Sequence, residues 1–211
     1  MATVEQVLNI ARKELGVKES PPNSNQVKYN AWYYGHPVSG AAYPWCMAFV
    51  QWVFNQAGAR LPYLTASCSA LLGWYRKNRP ECVAKTPKPG DIIIYNFGHT
   101  GIVESVGSGG TITAIEGNTS PGSAGSQSNG GMVCRRTRKT STVTAYIRPD
   151  YKEEKRMDNT PNAAHKEGVG WAVKNGIMKG DNTGDLKLSQ PVTRQEFCTM
   201  LLRFAKSIDK A

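Results

Sequence analysis

The chain changes its grammar at Pro89-Gly90. Before that point apolar residues recur with the 3.6-residue period of helices. After it come short runs rich in Val, Ile, Thr and Tyr, which suit a pleated sheet. On the helical side, Val4, Val7, Leu8, Ala11 and Leu15 predict an amphipathic helix over residues 3–16, ended by Gly16. Cys46, Phe49, Val50, Val53, Phe54 and Ala57 follow Pro44 at the same spacing and predict a second helix, closed by Gly58. A third is expected from Ser67 to Asn78, with Leu71, Leu72 and Tyr75 on its apolar side. A breaker-rich loop (Ser20–Asn25) and an aromatic stretch (Tyr29–Gly35) lie between the first two. On the sheet side, Asp91–Tyr95, Thr100–Val106, Thr111–Ile115, Met132–Arg136 and Val143–Ile147 read as strands. Helices in one block and strands in the next predict an α+β fold with an antiparallel sheet. The Gly-, Ser- and Asn-rich segment 117–131 reads as a long mobile loop at the sheet end.

A second change of composition marks a boundary. Residues 1–149 read as one domain, 150–157 as a charged linker and 158–211 as a small, mainly helical module. The module's helices are expected at Asn162–Asn175 and from Thr193, where Thr193-Arg194-Gln195-Glu196 fits a capping box. The turn Gly180–Asp185 separates them. Roughly 50 residues with two helices make a poor core alone. Such a unit packs on the first domain, on a copy of itself or on a ligand.

Several function classes drop out on composition. No apolar run approaches the roughly 20 residues that span a bilayer, so membrane insertion is not expected. The start, Met1 to Glu5, lacks a basic region followed by an apolar segment, so synthesis in the cytoplasm without a signal peptide is expected. The net charge of +10 favours anionic partners. The tightest basic cluster, Arg135-Arg136-Thr137-Arg138-Lys139, belongs to no nucleic-acid-binding motif, and no nucleic acid is expected as partner. Five cysteines, an odd number with no Cys-x-x-Cys, argue against a zinc knuckle or a disulfide framework. They leave room for one reactive thiol among packed ones.

Cys46 is the candidate, because it stands just inside a helix start, where partial positive charge favours the thiolate. His99 opens a strand directly after a glycine-containing turn and could meet that helix end. A thiol nucleophile needs such a base, held in one tautomer by a third group. Glu116 and Asn118 lie on the next strand, two residues apart; if the strand persists they share a face, and either could accept the imidazole N–H. The remaining thiols, Cys68, Cys82, Cys134 and Cys198, have no histidine near them in sequence and read as packed. Trp32, Tyr33 and Tyr34 read either as core or as the lining of a glycan or peptide groove.

Pro44-Trp45-Cys46-Met47-Ala48-Phe49-Val50, then Gly98-His99-Thr100-Gly101-Ile102-Val103, then Glu116-Gly117-Asn118 resemble the CHAP family over roughly residues 1–149. Lys88-Pro89-Gly90-Asp91-Ile92-Ile93 resembles the stretch before that family's His strand. The resemblance implies a papain-like domain, helices packed on an antiparallel sheet, that hydrolyses an amide bond of bacterial peptidoglycan. It implies Cys46 as nucleophile, His99 as base and then acid, Glu116 as the group orienting His99, and Asn118 as an aid to orientation. Trp45 stands where several members carry Gln, so either its indole N–H or another group is the second oxyanion donor; Trp45 and Trp32 are the candidate substrate-binding residues. Some members bind Ca²⁺ ahead of the cysteine, but residues 23–45 here contain no Asp or Glu, so no metal or other cofactor is expected.

In the second module, Trp171-Ala172-Val173-Lys174-Asn175-Gly176-Ile177-Met178-Lys179-Gly180 and Pro191-Val192-Thr193-Arg194-Gln195-Glu196-Phe197 resemble one S-layer homology motif. That resemblance implies association with anionic wall polymers. With one copy where members usually carry three, it implies a homo-oligomer through this module. Trp171, Ile177 and Phe197 read as the module's core. The whole reads as an endolysin that acts at the bacterial wall. Its alternatives are a bacterial autolysin and a non-catalytic wall-binding protein on a hydrolase scaffold.

Overall fold

The structure, a computed structural model, describes residues 2–122, 124–152 and 158–208. Its contacts divide the chain into two compact units, residues 1–154 and 155–211. Most of the linker expected over 150–157 lies outside the described residues.

The first unit begins with helix α1 (Val4–Lys13). Thr3 caps it: its hydroxyl accepts from the Gln6 N–H at 3.2 Å, and the Gln6 side chain accepts from the Thr3 N–H at 2.9 Å. The helix stops short of its expected end because Gly16, at φ 87°, turns the chain so that its N–H donates to the Val133 carbonyl at 2.9 Å. Helix α2 (Lys28–Tyr34) occupies the aromatic stretch and ends at Gly35, φ 76°. Seven residues are too few to show a helical period in sequence. Helices α3 (Cys46–Gln56) and α4 (Cys68–Asn78) lie close to their expected bounds, and the Ser67 side chain caps α4 by accepting from the Ala70 N–H.

Six strands follow: β1 (Val83–Ala84), β2 (Ile92–Tyr95), β3 (Thr100–Val106), β4 (Thr111–Thr119), β5 (Met132–Lys139) and β6 (Val143–Ile147). They form one antiparallel sheet in the order β1-β6-β2-β3-β4-β5. Alternation along the strands splits the apolar residues between the two faces. Ile92, Ile94, Ile102 and Ile115 join Val7, Leu8, Phe49, Val53, Phe54 and Leu71 in the main core beneath the helices. Ile93, Tyr95, Val103, Ile112, Ala114 and Tyr146 form a smaller cluster of their own.

Two sequence expectations change here. Strand β4 runs on to Thr119, so the segment read as a mobile loop begins inside the sheet. The rest is tied down: the Ser120 N–H donates to Ser126 O and the Gly130 N–H to Asn118 O, both at 3.0 Å, and the Thr119 hydroxyl donates to Gln127 O at 3.0 Å.

Helix α3 lies so close to β4 that Gly117 cannot carry a side chain. A Cβ there would meet Phe49 Cβ at 2.6 Å and the Trp45 ring at 2.9 Å. This contact sets the cysteine helix against the histidine sheet. Gly117→Ala is expected to cost about 1–3 kcal/mol by overpacking. Urea unfolding of the variant checks this, and an unchanged midpoint would refute it.

In the second unit, α5 (Lys166–Lys174) and α6 (Arg194–Ile208) are joined by a turn-rich segment. The capping box expected at Thr193 is present: its hydroxyl accepts from the Glu196 N–H at 3.2 Å, and Glu196 accepts from the Thr193 N–H at 2.9 Å. Buried Asp185 organises the turn by accepting from the Asp158 and Lys187 N–H groups. The expected core is only partly present. Ile177 is buried, but Trp171 and Phe197 are 50% and 51% exposed. Two short helices on one short segment cannot cover rings of that size, and Trp171 instead meets Phe204 edge to face at 6.1 Å.

Candidate active site

Cys46 is the first residue of α3. Its N-cap, Trp45, makes no side-chain cap, so the first-turn amides keep their positive end free. The thiol is buried, with Cys68 Sγ 3.9 Å away. The proton affinity of Cys46 is lowered well below the ordinary thiol value. The hydrogen bond from Cys68 contributes most; burial opposes it, and His99 and the Met47 backbone N–H add to it.

His99 is positioned by the turn between β2 and β3. Gly98 adopts φ 76°, and the Tyr95 N–H donates to the His99 carbonyl at 3.0 Å, which places His99 at the head of β3. Its ring is fully buried and stacks with Tyr95 and Phe97, each at 5.9 Å. Nε2 donates to Glu116 Oε2 at 3.1 Å. Nδ1 makes no conventional hydrogen bond and is the nitrogen left to interact with the Cys46 thiol. Burial pulls the imidazole down, but Cys46 and Glu116 outweigh it and raise His99 to about 9. Thiol and imidazole therefore shift towards a thiolate–imidazolium pair at neutral pH.

Glu116, on β4, is fully buried and yet well partnered. It accepts from the Tyr95 hydroxyl at 2.8 Å, from His99, and from Arg138 Nε at 3.0 Å and Nη2 at 2.5 Å. Burial would push its carboxyl up; Arg138 and then His99 more than offset this and hold it below the usual carboxylate range. The Arg138 guanidinium in turn lies 5.7 Å from the Tyr95 ring centre and 5.6 Å from that of Phe97.

The structure thus brings together Cys46, His99 and Glu116, but not Asn118. A register shift between Glu116 and Thr119, with Asn118 at φ 58°, breaks the alternation that would have put Glu116 and Asn118 on one face. The Asn118 side chain instead donates to Asn129 Oδ1 at 3.1 Å and accepts from the Gly131 N–H at 3.2 Å, closing the 119–131 loop. Trp45 also departs from its expected place. It is completely buried, stacked on Tyr29 at 5.4 Å, and its indole N–H has no partner, so its ring belongs to the core and offers no surface to a substrate. Trp32 is half-buried on α2.

Three residues of the site had no assigned role in the sequence. Tyr95 and Arg138 hold Glu116, and Cys68 touches the nucleophile candidate. For Arg138 a signal existed: Arg136 and Arg138 are two apart on a strand, so they share a face. Cys68 is half-buried rather than packed, and Cys198 is exposed.

Among the described residues no helix is long and apolar enough to cross a membrane. No curated protein matches the chain. Among solved structures, the crystal structure of a wild-type endolysin, LysIME-EF1, aligns with a TM-score of 0.45 at 18% identity, over 78% of this chain and 68% of that one. Residues 38–118, the stretch that holds Cys46, His99 and Glu116, match the family model of the CHAP domain.

Proposed function

We propose that this chain is a peptidoglycan hydrolase that cuts an amide bond of the bacterial wall with the Cys46 thiolate. The reading is carried by one observation: a thiol at a helix start, an imidazole against it, and a buried carboxylate on the far nitrogen of that imidazole. The match of residues 38–118 to the CHAP domain supports peptidoglycan as the substrate class.

In this mechanism the thiolate attacks the amide carbonyl carbon. The oxyanion that forms is held by the Cys46 backbone N–H at the start of α3. The imidazolium Nδ1–H passes its proton to the departing amine, leaving an acyl-thioester. His99 then takes a proton from water, which attacks the thioester; the acid is released, the sulfur leaves as thiolate, and the thiolate–imidazolium pair is restored. Glu116 stays ionised throughout and keeps Nε2 protonated. The carbonyl belongs either to the bond between muramic acid and L-alanine or to a bond within the stem peptide or cross-bridge. The second unit serves as a wall-associating module. It has a cleft of about 800 Å³ whose lining includes His165, Val169, Met178, Lys187, Leu188 and Arg203. The net charge of +10 favours accumulation on anionic wall polymers.

Digestion of purified Gram-positive peptidoglycan, with mass analysis of the fragments, tests the reading. New amino termini on intact stems identify an amidase, and cut stems or bridges identify an endopeptidase. Wall that is bound but left intact would replace the hydrolase reading with that of a binding scaffold.

The pair also sets a pH profile. Cutting requires Cys46 unprotonated and His99 protonated. Activity is therefore expected to fall at alkaline pH as His99 loses its proton near pH 9, and to fall at acid pH only below the depressed thiol range. A profile of kcat/KM against pH checks this. A single limb rising through pH 8–9, the behaviour of an ordinary thiol, would contradict the pair.

A further inference from the structure

Cys46 is not the only thiol at the site. Cys68 is the first residue of α4, and its sulfur lies 3.9 Å from that of Cys46. Cys68 is half-buried where Cys46 is buried. Cys82 and Cys134 have other neighbours, Glu81 and the Thr119 carbonyl, and Cys198 belongs to the second unit. The mechanism above gives Cys68 no step. We propose that Cys68 is a resolving thiol: when a hydroperoxide oxidises the site, Cys46 and Cys68 form a disulfide that stops cutting and that a reductant reverses. The proposal rests on Cys46 being the nucleophile.

The chemistry needs only hydrogen peroxide from outside. The Cys46 thiolate attacks one peroxide oxygen. The O–O bond breaks, the sulfur becomes a sulfenic acid, and the other oxygen leaves as hydroxide, which takes a proton to become water. Cys68 sulfur then attacks Cys46 sulfur. The S–S bond forms, the S–O bond breaks, and the departing hydroxide leaves as water with the Cys68 proton. Two thiols and one peroxide thus give one disulfide and two waters. The sulfurs must close from 3.9 Å to about 2 Å, a movement within reach of side-chain rotation. The thiolate of Cys46 is also what keeps Cys68 protonated before oxidation, through the hydrogen bond between them and through like charge. Once Cys46 is a neutral sulfenic acid, both influences vanish and the Cys68 proton becomes easier to lose. Attack by Cys68 also keeps Cys46 from climbing to sulfinic and sulfonic acids, which reductants do not reverse.

The test treats the full chain with a small excess of hydrogen peroxide and digests it without reductant. Peptides containing Cys46 and Cys68 are read by mass. Wall-clearing activity is measured before treatment, after it, and after dithiothreitol, each variant being compared with its own untreated value. For wild type, a Cys46–Cys68 linked peptide is expected, with about a tenfold or greater loss of activity and recovery to within about twofold. For Cys68→Ser and Cys68→Ala, the loss is expected to persist after dithiothreitol, with sulfinic or sulfonic acid at Cys46. A wild type with no linked peptide, or variants that recover as well as wild type, would overturn the proposal. The linked peptide is scored whether or not the chain cuts wall, so its absence counts against Cys68 alone. Undiminished cutting by Cys46→Ala would instead count against the nucleophile assignment.

Discussion

Cys46→Ala is expected to lower kcat/KM for wall cleavage by a factor on the order of 10⁴ or more, the scale seen when a covalent nucleophile is removed. No other described thiol can take over. Cys68, the nearest, loses its hydrogen bond with Cys46 in this variant but keeps the burial that favours its protonated form. Cys46→Ser is expected to be nearly as damaging, because a hydroxyl in that place does not ionise against an imidazole. Binding to intact wall should survive in both variants, since the fold loses only one small buried side chain. Release of soluble fragments measured beside wall sedimentation separates the two effects. Cutting by Cys46→Ala within about tenfold of wild type would remove the sulfur from the mechanism.

The second large effect is expected at Arg138, which never touches the thiol. Glu116 is completely buried and depends on the guanidinium for two of its four hydrogen bonds. Arg138→Met leaves a buried carboxylate short of its cation and is expected to cost about 3–5 kcal/mol, lowering the Tm by on the order of 10 °C. The chemistry should shift with it. Without Arg138 the Glu116 carboxyl becomes easier to protonate, and a neutral Glu116 no longer raises His99. The acid limb of the activity profile should therefore move up, because Glu116 protonates earlier and stops supporting the imidazolium. Arg138→Lys keeps the charge but not the two-pronged geometry and should fall between the two. A variant with wild-type Tm and an unmoved acid limb would mean that Arg138 only decorates the surface.

Helices α3 and α4 were legible because period and punctuation agree: they begin and end close to where Pro44, Gly58 and Ser67 suggest. The placing of Cys46, His99 and Glu116 was legible for a similar reason, since Cys46 opens a helix, His99 precedes a strand and Glu116 lies on the next one, all of types the sequence declares. The errors arose where position depends on register. Asn118 was placed beside Glu116 by an alternation that the bulge after Glu116 interrupts. Arg138 was hidden because its meaning comes from β5 pairing with β4 through its whole length, which puts Arg138 opposite Ile112 and within reach of Glu116. Cys68 was hidden because the contact between two helix starts, 22 residues apart, leaves no local pattern. In the second unit the sequence marked the capping box, the turn and the poverty of a two-helix core, but not that Trp171 and Phe197 stay half exposed.

Cys46 and His99 belong to different layers, one to a helix and one to a sheet, and Gly117 is the bare spot where those layers touch. The share of the sulfur's ionisation that His99 supplies therefore exists only while the layers are pressed together, beside the shares of Cys68 and the Met47 N–H. At neutral pH its ultraviolet absorbance becomes an optical gauge of that closeness: a wedge that parts α3 from β4 would shift the sulfur towards its protonated, transparent form, even if every strand stayed paired. Following that band during gentle denaturation would report when the two layers separate, independently of when the sheet itself comes apart.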